Sequence, residues 1–186
     1  MKGAGFKLDE MKSAGMAPKD MHEAGFNARE ARGVMSLSEM LQAGYDATAL
    51  RKAGVSASEL FEAGVTDAAS FVAAGFALGD VKGHFSADKL KSAGYPLKDM
   101  VLSFPAVDLK GLFSAGDIAK QKGGLKYMRE GGAYSIAELR QDAGVEASEL
   151  KRVGVPASEL VKEGYEPADI KVRRSTWSDG CSWVEQ

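Results

Sequence analysis

Residues 56–65 read SASELFEAGV, residues 146–155 read EASELKRVGV, and residues 156–165 read PASELVKEGY. These are variants of one decapeptide. It runs from a cap-like residue through a small residue, a variable one, an acid and an aliphatic to three mostly small or polar residues, a glycine and a large apolar residue. Repetition at a short fixed period takes precedence over any single-element signal, because it defines the architecture as a whole. Worked outward from 56–65, the closing apolar residue falls at Val55, Tyr45, Met35, Phe26, Met16 and Phe6 on one side. On the other it falls at Val65, Phe76, Phe85, Tyr95, Phe104 and Phe113, and after an irregular step near Gly123 it resumes at Tyr134, Val145, Val155 and Tyr165.

Each position has a physical reason. Position one is often Ser, Asn or Asp, as at Ser36, Ser56, Ser135, Asn27 and Asp46, residues whose side chains accept hydrogen bonds from the first helical amides. Position four is often Glu, as at Glu39, Glu59 and Glu138, and Ser with Glu three residues later is a capping box. Pro18 and Pro167 stand at position two, the first helical residue, where a missing amide hydrogen costs nothing. Position nine is Gly in the ten-residue units, the residue that ends a helix in the left-handed conformation. The pattern therefore predicts a two-turn helix over positions two to eight, roughly 10 Å long.

Position five is Met11, Met21, Met40, Leu50, Leu60, Leu90, Met100, Leu109, Leu139, Leu150 or Leu160. That side chain is expected to meet the apolar residue before its cap and the one after its terminal glycine, a clamp from both sides. Isolated helices below about 12 residues are marginal in water, so lateral stacking must supply the remaining stability. The expectation is an all-α solenoid of about 16 two-turn helices with a 9–11-residue repeat over residues 1–170, each unit touching chiefly its neighbours. Two or three helices per solenoid turn both fit the sequence. Four nine-residue units, 27–35, 77–85, 96–104 and 105–113, lack the penultimate glycine, which predicts tighter corners without a left-handed residue. Two of these in succession, followed by the Gly-Gly-containing stretch 114–134, mark 96–134 as a bend or irregular segment.

The chain has 186 residues, with 22 Gly and only 5 Pro and without the three-residue period of collagen. Its net charge of -2 argues against a dedicated nucleic-acid binder, and its single cysteine excludes an intrachain disulfide framework. No apolar run reaches the about 18 residues needed to span a bilayer, and the start MKGAGFKLDE lacks an apolar signal core. An intracellular protein with no membrane span is expected.

The pattern S-A-x-E-L-K-x-A-G followed by a large apolar residue resembles the short decapeptide helical repeats of proteins from unicellular algae and other protists. The resemblance covers nearly the whole chain. It implies a solenoid used for interaction or scaffolding and brings no catalytic positions with it.

Chemistry is sparse. His22 and His84 occupy different places in their units and read as surface residues. The carboxylates cluster at helix starts, where the helix dipole favours them. Cys181 has no neighbouring His or Cys to complete a zinc site. The pairs Gly123–Gly124 and Gly131–Gly132 lack the Gly-Lys-Ser/Thr ending of a phosphate loop and read as turns. No catalytic, metal or cofactor-binding residue is therefore expected. Lysine and arginine recur at positions six and seven (Lys12, Arg51, Lys52, Lys91, Lys151, Arg152). That suits the negative end of each helix and would also suit a helical-repeat reader of nucleic acid. The segment 171–186, KVRRSTWSDGCSWVEQ, leaves the repeat and carries both tryptophans. It reads as a cap on the last helix or as a docking element anchored by Trp177 and Trp183. Phe61, Leu102, Leu112 and Tyr127 are further candidate partner contacts. The function expected is a non-enzymatic structural, scaffold or linker subunit that binds other proteins of a larger assembly. Alternatives are an accessory subunit of an algal photosynthetic antenna complex, or a nucleic-acid-binding helical repeat.

Overall fold

The computed structural model describes residues 5–170. Among them are 17 helices of four to seven residues and no extended strand. The chain divides into two compact units, Met1–Leu112 and Phe113–Gln186, a division that falls within the stretch 96–134.

The first unit opens with α1 (Leu8–Ser13), α2 (Pro18–Glu23), α3 (Ala28–Ala31) and α4 (Leu37–Gln42). It continues through α5 (Ala47–Lys52), α6 (Ala57–Glu62), α7 (Ala68–Ala74) and α8 (Leu78–Val81), and ends with α9 (Ala87–Ala93), α10 (Leu97–Ser103) and α11 (Ala106–Leu109). The second unit holds α12 (Ala115–Ala119), α13 (Gly124–Glu130), α14 (Ile136–Gln141), α15 (Ala147–Arg152), α16 (Ala157–Lys162) and α17 (Pro167–Ile170).

Local bonds explain why such short segments are helical. At α6 the Glu59 amide donates to Ser56 Oγ at 3.2 Å, while the Ser56 amide donates to the Glu59 carboxylate at 2.7 Å. The same reciprocal pair forms at Ser36–Glu39, Ser135–Glu138 and Asn27–Glu30. Lys7, Ala77 and Glu146 make only the backward half, in which the acid accepts from the cap amide. At the other end of α6 the Val65 amide donates to the Leu60 carbonyl, and the Gly64 amide to the Phe61 carbonyl, both at 3.0 Å. Gly64 has φ 99°, so this is a Schellman ending closed by the left-handed glycine the pattern predicts.

Three of the nine-residue units, 27–35, 77–85 and 96–104, contain no left-handed residue, as expected. The fourth, 105–113, does not conform: Gly111 has φ 82°. There α11 stops early, because Lys110 is already extended, and the chain reverses through the glycine that follows it.

Position-five side chains make up much of the core. Met40, Leu50, Leu60, Leu90, Met100 and Leu109 are fully buried in the first unit, and Leu139, Leu150 and Leu160 in the second. No polar or charged side chain is buried among the described residues. Each such leucine contributes roughly 1.5–3 kcal/mol of burial, and the contacts that bury it are lateral. In the first unit α2 packs on α4, α3 on α5, α5 on α7, α6 on α8, α7 on α9 and α8 on α10. In the second unit α12 packs on α14 and α15 on α17. Helices two apart in the chain are thus neighbours in space.

Candidate functional site

The lateral pairing places position six at the end of a neighbouring helix. Lys12 Nζ donates to the Val34 carbonyl at 2.6 Å, Arg32 Nη1 to Ala53 at 2.9 Å, and Arg51 Nη1 to Ala74 at 3.2 Å. Lys91 donates to the Leu112 carbonyl, Arg129 to Val153, Arg140 to Glu163 and Lys151 to Ile170. These carbonyls lie at or just beyond helix C-termini, where acceptors have no partner inside the helix and the dipole favours a cation. The position-six cations therefore serve the helix end two units further along the chain, not the end of their own helix. Glycine assists. A Cβ at Gly54 would lie 2.9 Å from Arg32 Nη1, so the residue that permits the left-handed turn also leaves room for the guanidinium.

His22 belongs to the same series. Its Nδ1 lies 2.9 Å from the Ala43 carbonyl, and since a carbonyl only accepts, Nδ1 carries the hydrogen. The imidazole packs 4.2 Å from the Tyr45 ring. His84 bonds Ser58 Oγ through Nε2 at 3.0 Å and stacks on Phe61 at 4.6 Å. Both histidines are half-buried and pack through their rings. Tyrosines at the closing position complete the lateral bonding. Tyr45, Tyr95 and Tyr165 donate their hydroxyls to the carbonyls of Phe26, Phe76 and Val145. Burial pushes all three phenols above their ordinary range.

Four of the position-six cations show two states. Lys12 also pairs with Glu39 at 3.2 Å, and Arg32 with Glu59 at 3.2 Å. These carboxylates sit below their usual range, held there first by the amides of Ser36 and Ser56. Arg51 and Arg140 have no such partner within 4.0 Å among the described residues, although Asp80 and Asp169 hold the corresponding position four. Instead each guanidinium lies over an aromatic ring, Arg51 at 5.3 Å from the Phe76 centroid and Arg140 at 5.1 Å from Tyr165. A cleft of about 460 Å³ opens beside Arg51, Ser58, Phe76 and Asp80. A second, of about 510 Å³, opens beside Arg140, Ser148, Tyr165 and Asp169. The two match position for position, one in each compact unit. Neither cleft was foreseen, but the signal was available: the aromatic follows each arginine by 25 residues and the aspartate by 29.

Of the contact residues expected from sequence, Leu102 is 83% exposed, with Val107 nearby at 63%. Phe61, Leu112 and Tyr127 are half-buried, Phe61 within the aromatic group it forms with His84 and Phe85. Trp177, Cys181 and Trp183 lie outside the described residues. No group of three or more potential metal ligands is present among the described residues, and no described helix is long and apolar enough to cross a membrane.

No protein-family model matches the chain, and comparison with curated proteins and with solved structures returns no match.

Proposed function

We propose that each compact unit is a solenoid with two helices per turn, built on the 9–11-residue repeat, and that the chain is a non-enzymatic scaffold or linker subunit. In this reading it binds other proteins of a larger assembly through the helical-repeat surface. The observation that carries it is the lateral bonding. Position-six and closing-position side chains join helices two apart in the chain, fixing backbone positions while the remaining surface residues are free to vary between units. That arrangement suits recognition by contact.

The same bonds weigh against nucleic-acid binding. Of the cations such a reader would present, Lys12, Arg51, Lys91 and Lys151 each spend a donor on a carbonyl of the chain itself. Leu102 and Val107 are large apolar groups presented to solvent, and exposed apolar groups of this size suit protein contact. The test is co-purification of the full chain from its native source. A stoichiometric place in one complex, weakened by Leu102→Asp, is expected. A free monomer, or turnover of a substrate by the purified chain, overturns the reading.

A further inference from the structure

We propose that the clefts at Arg51–Asp80 and Arg140–Asp169 are carboxamide sites, each taking a glutamine or asparagine side chain of a partner protein between the guanidinium and the carboxylate.

The geometry comes first. In the Lys12–Glu39 and Arg32–Glu59 pairs, cation and acid close on each other at 3.2 Å, and the closing residues beside them are Met35 and Val55. In the two clefts the closing residue is a ring, Phe76 or Tyr165, and the guanidinium lies over it at 5.3 or 5.1 Å from its centroid. The acid is an aspartate, one methylene shorter than glutamate. No ion pair forms within 4.0 Å between arginine and aspartate, and both members line the cleft.

Next is the hydrogen-bonding inventory. An arginine has five donors. Arg51 uses one nitrogen on the Ala74 carbonyl and Arg140 one on the Glu163 carbonyl, which leaves donors directed elsewhere. Asp80 accepts from the Ala77 amide at 3.2 Å through one oxygen. Each cleft thus offers donors on one wall and an acceptor on the other. A ligand carboxylate would meet the arginine but be repelled by the aspartate, and a ligand ammonium would meet the reverse conflict. A primary carboxamide accepts through its oxygen and donates through its NH2, so it is a neutral group that satisfies both walls, with donor and acceptor on separate atoms, unlike a hydroxyl.

Recurrence supports a recognition role. One cleft lies in each compact unit, built from an arginine, an aromatic closing residue and an aspartate at the same repeat positions, whereas Arg129 and Glu159, at the same positions beside Val155, have no ring between them. The inference rests on the interaction reading for the identity of the partner. The chemistry of the cleft is separable from it.

The experiment uses the full chain, labelled with ¹⁵N, and follows the arginine Nε–Hε resonances of Arg51 and Arg140. Three probes share the same main-chain amides: acetyl-glutamine methylamide, acetyl-methionine methylamide and acetyl-glutamate methylamide. Saturable shifts at both arginines are expected with the glutamine probe in the millimolar range, with the other two weaker by at least about tenfold. The Asp80→Asn/Asp169→Asn variant is expected to reverse the order, so that glutamate binds better than glutamine. Arg51→Lys/Arg140→Lys should keep the carbonyl bond, as Lys12 and Lys151 do, yet weaken glutamine binding by at least about tenfold, followed in this variant and in the parent through the backbone amides of Asp80 and Asp169. Equal shifts with the methionine probe would assign binding to main-chain amides and overturn the proposal. Absent shifts, or an unchanged order in the aspartate variant, would do the same. Probe binding without any native complex would instead defeat the scaffold reading and leave the clefts standing.

Discussion

Residues 36–65 and residues 114–132 both build short helices, by different means. In the first stretch α4, α5 and α6 each begin with a side-chain cap at Ser36, Asp46 or Ser56. Each ends in a left-handed glycine followed by a closing residue whose amide returns to position five. In the second, α13 starts at Gly123, which has φ 76° and no side chain to cap with. Helices α12 and α13 approach so closely that a Cβ on Gly124 would overlap the Ile118 carbonyl, whose carbon would be 2.8 Å away. Order in the regular stretch comes from bonds within each unit. In the irregular one α12 keeps a side-chain cap at Ser114, but α13 has none and is held by close packing against α12.

The sharpest way to break this comparison is the same substitution in both places. Gly124→Ala forces a methyl group into backbone that belongs to the adjacent helix, and neither side has a flexible group that can move away. A loss of about 4 kcal/mol or failure to fold is expected, measured by urea denaturation. Gly64→Ala meets nothing within 4 Å. Its cost is only the left-handed backbone at φ 99°, about 1–2 kcal/mol. Gly64→Asn should recover part of that, since asparagine tolerates this region, whereas Gly124→Asn should recover nothing. Equal losses at the two glycines would show that the stretches are not held differently.

A smaller effect sharpens the same contrast. Ser56→Ala removes the acceptor for the Glu59 amide and is expected to cost about 1 kcal/mol, read as a shift in the urea midpoint with an unchanged slope. No counterpart exists in α13, whose cap glycine has no side chain to remove.

The contrast also explains what could be read in advance. The caps at Ser36 and Ser56, the burial of Leu50 and Leu60, and the left-handed Gly64 all depend on bonds spanning three to six residues, so a ten-residue pattern contains them whole. The bond from Arg32 to Ala53 spans 21 residues and the one from Tyr45 to Phe26 spans 19. Those depend on which helices become neighbours, and two or three helices per turn would have served a single unit equally well. The cations were therefore assigned to their own helices, and Arg51, Phe76 and Asp80 were not connected. Gly124 was hidden for a related reason. A glycine pair reads as a turn, and only the approach of α12 shows that its second member is required by packing.

The least costly perturbation is acid, and it acts only where caps are made by carboxylates. Glu39 and Glu59 titrate below their ordinary value of 4.5, chiefly because the amides of Ser36 and Ser56 donate to the ionised form, with the serine hydroxyls and then the position-six cations adding to this. A carboxylate whose folded value is depressed contributes stability above its unfolded value and loses that contribution as pH falls through the folded one. The melting temperature should therefore be level between about pH 6 and 5 and decline below about 4.5. Glu39→Gln/Glu59→Gln is expected to begin lower and to decline less over the acid range, because glutamine still accepts from the serine amide but does not titrate. Both side chains are solvent-facing and screened, so 0.5 M salt should narrow the gap between variant and parent. Helix α13 has no acid in its first turn. Native-state hydrogen exchange between pH 5 and 3, corrected for intrinsic rates, should show protection falling in α4 and α6 before it falls in α13. If α13 loses protection first, the carboxylate caps are not what holds the regular stretch together at its weakest point.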